Sequence, residues 1–179
     1  MTPTDAPAWT TFAAALAAEG PHPEHRVELM TFGQFVGSWA MDVRLFDQAG
    51  QLTTHTPATW TFAWVLDGRA IQDVLVFGAP DGGTPTGRGS TLRYFDPRAD
   101  LWHVYWLGSA TGTIVRLHGS PSADDIVLEG DDVDGSPLRW MFRDVTADRF
   151  HWTGHASDDG GRSWRLEQEM DARRLTDSA

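Results

Sequence analysis

The side chains able to do chemistry are spread along this chain, and their spacing decides most of what they can do. Seven histidines raise metal and haem first. His151 and His155 share one face of an alternating strand but lie four residues apart, roughly 13 Å, too far to hold one zinc ion. His22-Pro23-Glu24-His25 lacks the helical zinc spacing and nothing completes it, so no metal site is expected. A single histidine can still hold haem iron axially, and His103, His151 and His155 are the candidates. Tyr94, Tyr105 and His103 are candidate general acids, with Arg93 as electrostatic helper. No Gly-x-Ser-x-Gly elbow marks a serine nucleophile. Gln72 shares an apolar stripe with Val74 and Val76, Gln168 with Leu166 and Met170, and Arg116 with Ile114. A polar group on such a stripe needs a hydrogen-bond partner, from a neighbour, a water or a ligand. Arg93 or Arg116 inside a cavity would favour a carboxylate or phenolate.

Composition removes other chemistries. All fourteen positive side chains are arginine, and cysteine is absent. There is therefore no lysine Schiff base, P-loop lysine, thiolate nucleophile or disulfide framework. The loop Gly83-Thr84-Pro85-Thr86-Gly87-Arg88-Gly89 is accordingly no phosphate loop. The acidic turn Glu129–Gly135 resembles a calcium loop only in charge, because Gly130 and Met141 occupy the first and last ligand positions. A net charge of −11 repels phosphate backbones and anionic headgroups, so neither nucleic acid nor membrane is an expected partner. No leader-like segment opens the chain and no apolar run approaches a bilayer span, which reads as cytoplasmic.

The elements that must position these groups are strands. Phe150, Trp152 and Gly154 alternate with His151, Thr153 and His155; a turn-forming run from Ser157 to Ser163 follows; then Trp164, Leu166, Gln168 and Met170 alternate with charged residues. A hairpin with one dry side is stable only within a larger sheet. Similar segments span 35–46, 56–66, 70–77, 90–95, 101–107, 113–119, 126–130 and 138–145, joined by short turns such as Asp67-Gly68 and Asp134-Gly135. The longer link from Gly78 to Gly89 is expected to be mobile or to fold over an opening. Ahead of the strands, residues 7–19 read as a short amphipathic helix carrying Trp9, Phe12, Ala13 and Leu16, and a second helical turn is expected from Pro23 to about Phe32. The N-terminal segment is expected to pack against the sheet, with lid, barrel plug and dimer arm as alternatives. A ten-strand meander with no crossover helices avoids open edges by closing into a barrel.

Gly37-Ser38-Trp39 looks like the Gly-x-Trp signature of lipocalin-type proteins. Together with Asp67–Val74, Thr91–Pro97, Arg139–Val145 and Ser157–Trp164, it resembles an uncharacterised bacterial family of calycin-superfamily barrels, a domain of unknown function. The resemblance spans most of residues 35–173 and implies a closed barrel with a central cavity but no established activity; nitrobindin-like haem barrels are more distantly similar. Ser157–Trp164 also fits the Asp-box spacing Ser-x-Asp-x-Gly-x-x-Trp, here in one copy, and reads as a hairpin lock in which Asp159 holds turn amides under Trp164.

The expectation is therefore an all-β protein, an antiparallel up-and-down barrel of about ten strands. An N-terminal helical extension (residues 1–34) precedes a single barrel domain (35–175). A cavity of about 300–1,000 Å³ is typical of such ligand sites. Its expected ligand-binding residues are Trp39, Trp60, Trp64, Gln72, Arg93, Trp106, Arg116, Trp140, Trp152 and Gln168, accepting a small apolar or aromatic molecule. Haem binding through one histidine and a general-acid isomerase or cyclase are the alternative functions, and a monomer or homodimer is expected.

Overall fold

The alternating segments close on themselves. The computed structural model describes residues 7–78, 84–122 and 125–176. Within these, ten strands form one closed antiparallel barrel: β1 (Gly37–Phe46), β2 (Leu52–Val65), β3 (Ala70–Phe77), β4 (Gly87–Asp96), β5 (Leu101–Gly108), β6 (Thr113–Ser122), β7 (Asp125–Asp131), β8 (Pro137–Arg143), β9 (Arg149–Ala156) and β10 (Arg165–Arg174). Each strand pairs with its sequence neighbours, and β10 returns to β1 with Trp39 opposite Arg174 and Val43 opposite Met170. Closure leaves no free sheet edge. The strand expectations hold with small shifts at their ends; at β2, His55, Thr54 and Leu52 carry the pairing further along β1 than expected. Residues 79–83, within the link expected to be mobile, lie outside the described residues.

One end of the barrel is plugged. Helix α1 (Ala8–Leu16) and a 3-10 turn (Pro23–His25) lead into α2 (Arg26–Gly33), whose Leu29 and Phe32 are buried in the same core as the strands. Helix α2 thus sits where the plug alternative places it, in the same core as the strands. Gly33 permits this seat, because a Cβ there would stand 2.3 Å from the Trp64 ring. The helix α1 differs from expectation: none of its residues is buried and Trp9 is 72% exposed. It ends where Ala17 leaves helical geometry to bridge Val65 and Ala18 donates to the Trp64 carbonyl at 2.9 Å. Among the described residues no helix is long and apolar enough to cross a membrane.

The Gly-x-Trp segment locks this end. Trp39 donates its indole N–H to the Phe35 carbonyl at 2.7 Å. Arg174 covers the Trp39 ring at 4.0 Å and donates to the carbonyls of Ala147, Val36 and Gln34 at 2.5, 2.8 and 2.8 Å. That cation–π contact ties the last strand to the first. The fit needs Gly37 at a φ of +122°, a region closed to most side chains.

Candidate functional site

Above the plug, inward side chains fill the barrel in two zones. The lower zone is solid aromatic packing: Phe35 lies 4.9 Å from both Phe142 and Phe150, and Phe150 lies 4.7 Å from Trp39, ring centre to ring centre. The upper zone, away from the plug, leaves a cavity of about 80 Å³ lined, among the described residues, by Trp60, Leu75, Phe77, Thr91, Arg93, Trp106, Trp140, Trp152, Gln168 and Met170. This is far smaller than expected. The rings that make the wall aromatic also occupy most of the space, as Trp140 and Trp152 do at 5.5 Å from one another. Two glycines set how closely they lie. A Cβ on Gly89 would sit 1.9 Å from the Trp106 ring, and one on Gly154 would sit 2.8 Å from the Trp152 ring.

The polar floor is an ion pair buried between the zones. Arg93 and Asp73 are each 1% exposed and joined through Nη1 and Oδ2. The second Asp73 oxygen accepts the Thr91 amide at 2.9 Å. The Arg93 guanidinium is surrounded by aromatic rings, with centres at 5.2 Å for Phe32 and Phe62, 5.8 Å for Trp60 and 5.9 Å for Phe142. Burying two charges is costly, and here the cost is offset by pairing, the amide and the ring faces. Four side-chain atoms of the lining residues are sealed from any water-sized space and have no hydrogen-bond partner among the described residues: Trp60 Nε1, Trp152 Nε1, Arg93 Nε and Thr91 Oγ1.

Six of the ten residues expected at the site come together here: Trp60, Arg93, Trp106, Trp140, Trp152 and Gln168. Trp39 and Trp64 point inward but belong to the plugged end, against Phe35 and Gly33. Gln72 and Arg116 do not enter the barrel. The outward Gln72 amide donates to Ser90 at 3.1 Å, and Arg116 lies over the outward Tyr105 ring at 5.9 Å. The reason in β3 is that both faces are apolar: Ile71, Asp73, Leu75 and Phe77 face in, Val74 and Val76 out. Alternation alone gives such a strand no phase. Asp73 was missed for that reason; its one signal was an acid in the middle of an apolar strand. Trp164, expected inside with Gln168 and Met170, precedes β10 and stacks on Arg139 at 4.0 Å; the register shift between Leu166 and Gln168 separates it in phase from those two.

The residues behind the two alternative chemistries also face outward. Tyr94 and Tyr105 are exposed, His103 pairs across the outer face with His118, and His151 contacts Asp171 at 2.8 Å. His155 lies outside beside Arg139 and Arg143; burial first, then those two charges, push its pKa down. No histidine or tyrosine is among the described cavity residues, and about 80 Å³ does not accommodate a haem. The residues present therefore do not fit that group. Among the described residues no cluster of three His, Cys, Asp or Glu side chains has the geometry of a metal site.

The closed meander, the Gly-x-Trp lock and the plugged base define a calycin-like β-barrel. The chain belongs to the family described as a protein of unknown function, DUF1579, whose model matches residues 20–174. That match starts upstream of Phe35, where the sequence resemblance began, and so takes in α2. No functionally curated protein matches the sequence. Among solved structures, the chain is similar to Rv2717c from M. tuberculosis, with TM-score 0.61 and 14% identity over 87% of this chain and 99% of that one. It is also similar to the S-type phycobiliprotein lyase CPES from Guillardia theta, with TM-score 0.55 and 15% identity over 82% of this chain and 92% of that one. At such identities the likeness is one of fold.

Proposed function

We propose that this barrel binds a small, largely apolar molecule, one ring or a short chain, in the aromatic cavity away from the plug. The observation that carries this is a cavity of about 80 Å³ walled by Trp60, Trp106, Trp140 and Trp152 above a buried ion pair. A water occupies at least about 10–15 Å³ of such space, so there is room for about five to eight water-sized positions. That favours a single aromatic ring and argues against a tetrapyrrole, whether haem or the kind of group the name of the phycobiliprotein lyase suggests. With no tyrosine or histidine among the described lining residues, binding is better supported than general-acid catalysis.

Thermal melting against a panel of single-ring and short-chain compounds tests the reading. A ligand bound only by the folded state raises the melting temperature in step with its concentration. Single-ring compounds should stabilise the wild type and lose that effect in Leu75→Phe, which fills the cavity. A panel in which no compound of this size moves the transition would refute the reading.

A further inference from the structure

We infer that this chain forms a two-fold dimer in which α1 of each copy lies in an apolar groove on the outer wall of the other. Helix α1 is the element of the fold with least to hold it. It has nine residues, and isolated helices shorter than about 12–15 residues are marginal in water. Packing normally makes up the difference, yet no residue of α1 is buried, and Pro7 at its start supplies no side-chain cap. Trp9 and Phe12, three residues apart and so on one face, are 72% and 67% exposed. The groove lies outside the barrel, where β4 and β6 begin and β5 ends. Val74, Ser90, Leu107 and Ile114 stand opposite one another on four successive strands, β3 to β6. The three apolar members of that row are exposed, and the small Ser90 between them lowers the floor. The resulting space is about 450 Å³. Arg88 is the one charged side chain among its described lining residues, and an arginine is well placed over an indole face. A closed barrel offers no edge to an added strand, so this wall takes a partner through side chains, as a groove takes a helix.

Position, charge and area select a second copy as the partner. The chain leaves α1 at Ala17, which bridges Val65 at the plugged end of β2, whereas the groove lies at the other end of the neighbouring strands. Two barrels side by side and antiparallel bring each helix to the other's groove, the self-complementary contact that two-fold symmetry requires. Each chain carries a net charge of −11, so two copies approach most easily over neutral surface. Neither α1 nor the row from Val74 to Ile114 contains a charged residue. Covering both exposed rings of both copies, with the groove walls they meet, removes roughly 1,200 Å² from water. That reaches the lower end of a stable interface, about 1,200–2,000 Å².

Sedimentation velocity of the full chain across a dilution series tests this. The wild type should show a species of twice the 19.8 kDa chain mass. A helix variant, Trp9→Ser with Phe12→Ser, should weaken the dimer at least ten-fold. So should a groove variant, Leu107→Glu, or Ile114→Glu should that one fail to fold. All four side chains are exposed, so the barrel itself has little to lose. Mixing the helix variant with the groove variant is the decisive arm. The mixed pair keeps one intact helix-in-groove contact, which neither variant can make with itself, so dimer should reappear on mixing. A wild type that stays monomeric up to its solubility limit would overturn the inference, as would assembly beyond two copies. Loss of the dimer in only one of the two variants, or in neither, would overturn the exchange, and so would a mixture that restores nothing.

Discussion

Two arginines, Arg93 and Arg44, sit on opposite sides of the same barrel wall, and both are paired with carboxylates. Outside, Arg44 donates to Glu169 and Asp171 at 2.6 Å each and to Asp42 at 3.0 Å. His151 extends this ladder at Asp171, and His55 extends it at Asp42. The Asp171 hydrogen bond, then that of Glu169, push the Arg44 pKa up. Burial pulls the Asp171 carboxyl up, but Arg44 and His151 outweigh it and bring it below its usual value. Inside, among the described residues, Arg93 has one carboxylate, Asp73, and its Nε donates to nothing. Solvated surface networks can use every donor at little cost. A dry interior with open donors is a different object, because each is a standing penalty that stability alone would remove. The contrast sets a dry, partner-poor interior against ordinary surface electrostatics on the outside.

The largest effect should come from separating the inner pair. Arg93→Met leaves Asp73 buried and unpaired, and such a change costs about 3–5 kcal/mol. Urea denaturation measures it, and Arg93→Met combined with Asp73→Asn should recover a large share, because no lone charge then remains. A single-variant cost no larger than an exposed pair's would erase the contrast between the two faces.

Next comes the aromatic wall. In Gly89→Ala the new methyl would stand 1.9 Å from the Trp106 ring, which must move. Overpacking of this kind costs about 1–3 kcal/mol. The displaced ring also changes the cavity, so the melting shift given by single-ring compounds should fall together with stability. Unchanged ligand stabilisation in this variant would mean that Trp106 does not define the site.

These two positions also mark what the sequence makes legible. The barrel could be read because most strands alternate cleanly, as Trp60, Phe62 and Trp64 do, and because Gly37-Ser38-Trp39 names the closed end. Arg93 could be read because Thr91 and Phe95 fix its phase. Asp73 could not: Ile71 to Phe77 is apolar on both faces, so Gln72 looked like the inward polar group. Arg116 was assigned inward with Ile114, yet β6 turns Val115 and Leu117 to the core. The cavity's size was out of reach for another reason. Tryptophan counts say what lines a space, whereas ring orientation and the glycines opposite decide how much of it stays empty.

On the outer face, Arg44→Gln should cost about 1 kcal/mol or less, since exposed pairs contribute little and their side chains give up entropy to make them. The cost should shrink as salt is raised through the range where exposed charges are screened. Denaturation at low and high salt measures both. A cost matching that of Arg93→Met, or one indifferent to salt, would show that the ladder is not acting as a solvated network.

The smallest expected effect sharpens the comparison between carboxylates. Asp159, in the turn between β9 and β10, accepts the Arg162 and Ser163 amides at 2.9 and 2.8 Å and the Ser163 and Ser157 hydroxyls at 2.7 and 2.8 Å. Like Asp73 it holds backbone amides, but in water. The Ser163 amide first, then the two hydroxyls, bring its pKa down to about 2 from an ordinary 3.8. Because the folded value is the lower one, the ionised carboxylate stabilises the hairpin above about pH 4, and that contribution is lost as pH falls through about 2. Asp159→Asn keeps one acceptor oxygen and removes the charge. The melting-temperature gap between wild type and this variant should be constant near neutrality and close between about pH 4 and 2. A gap that survives unchanged at pH 2 would mean the turn is held by acceptor geometry alone, and that a carboxylate's charge matters in this barrel only where water is absent.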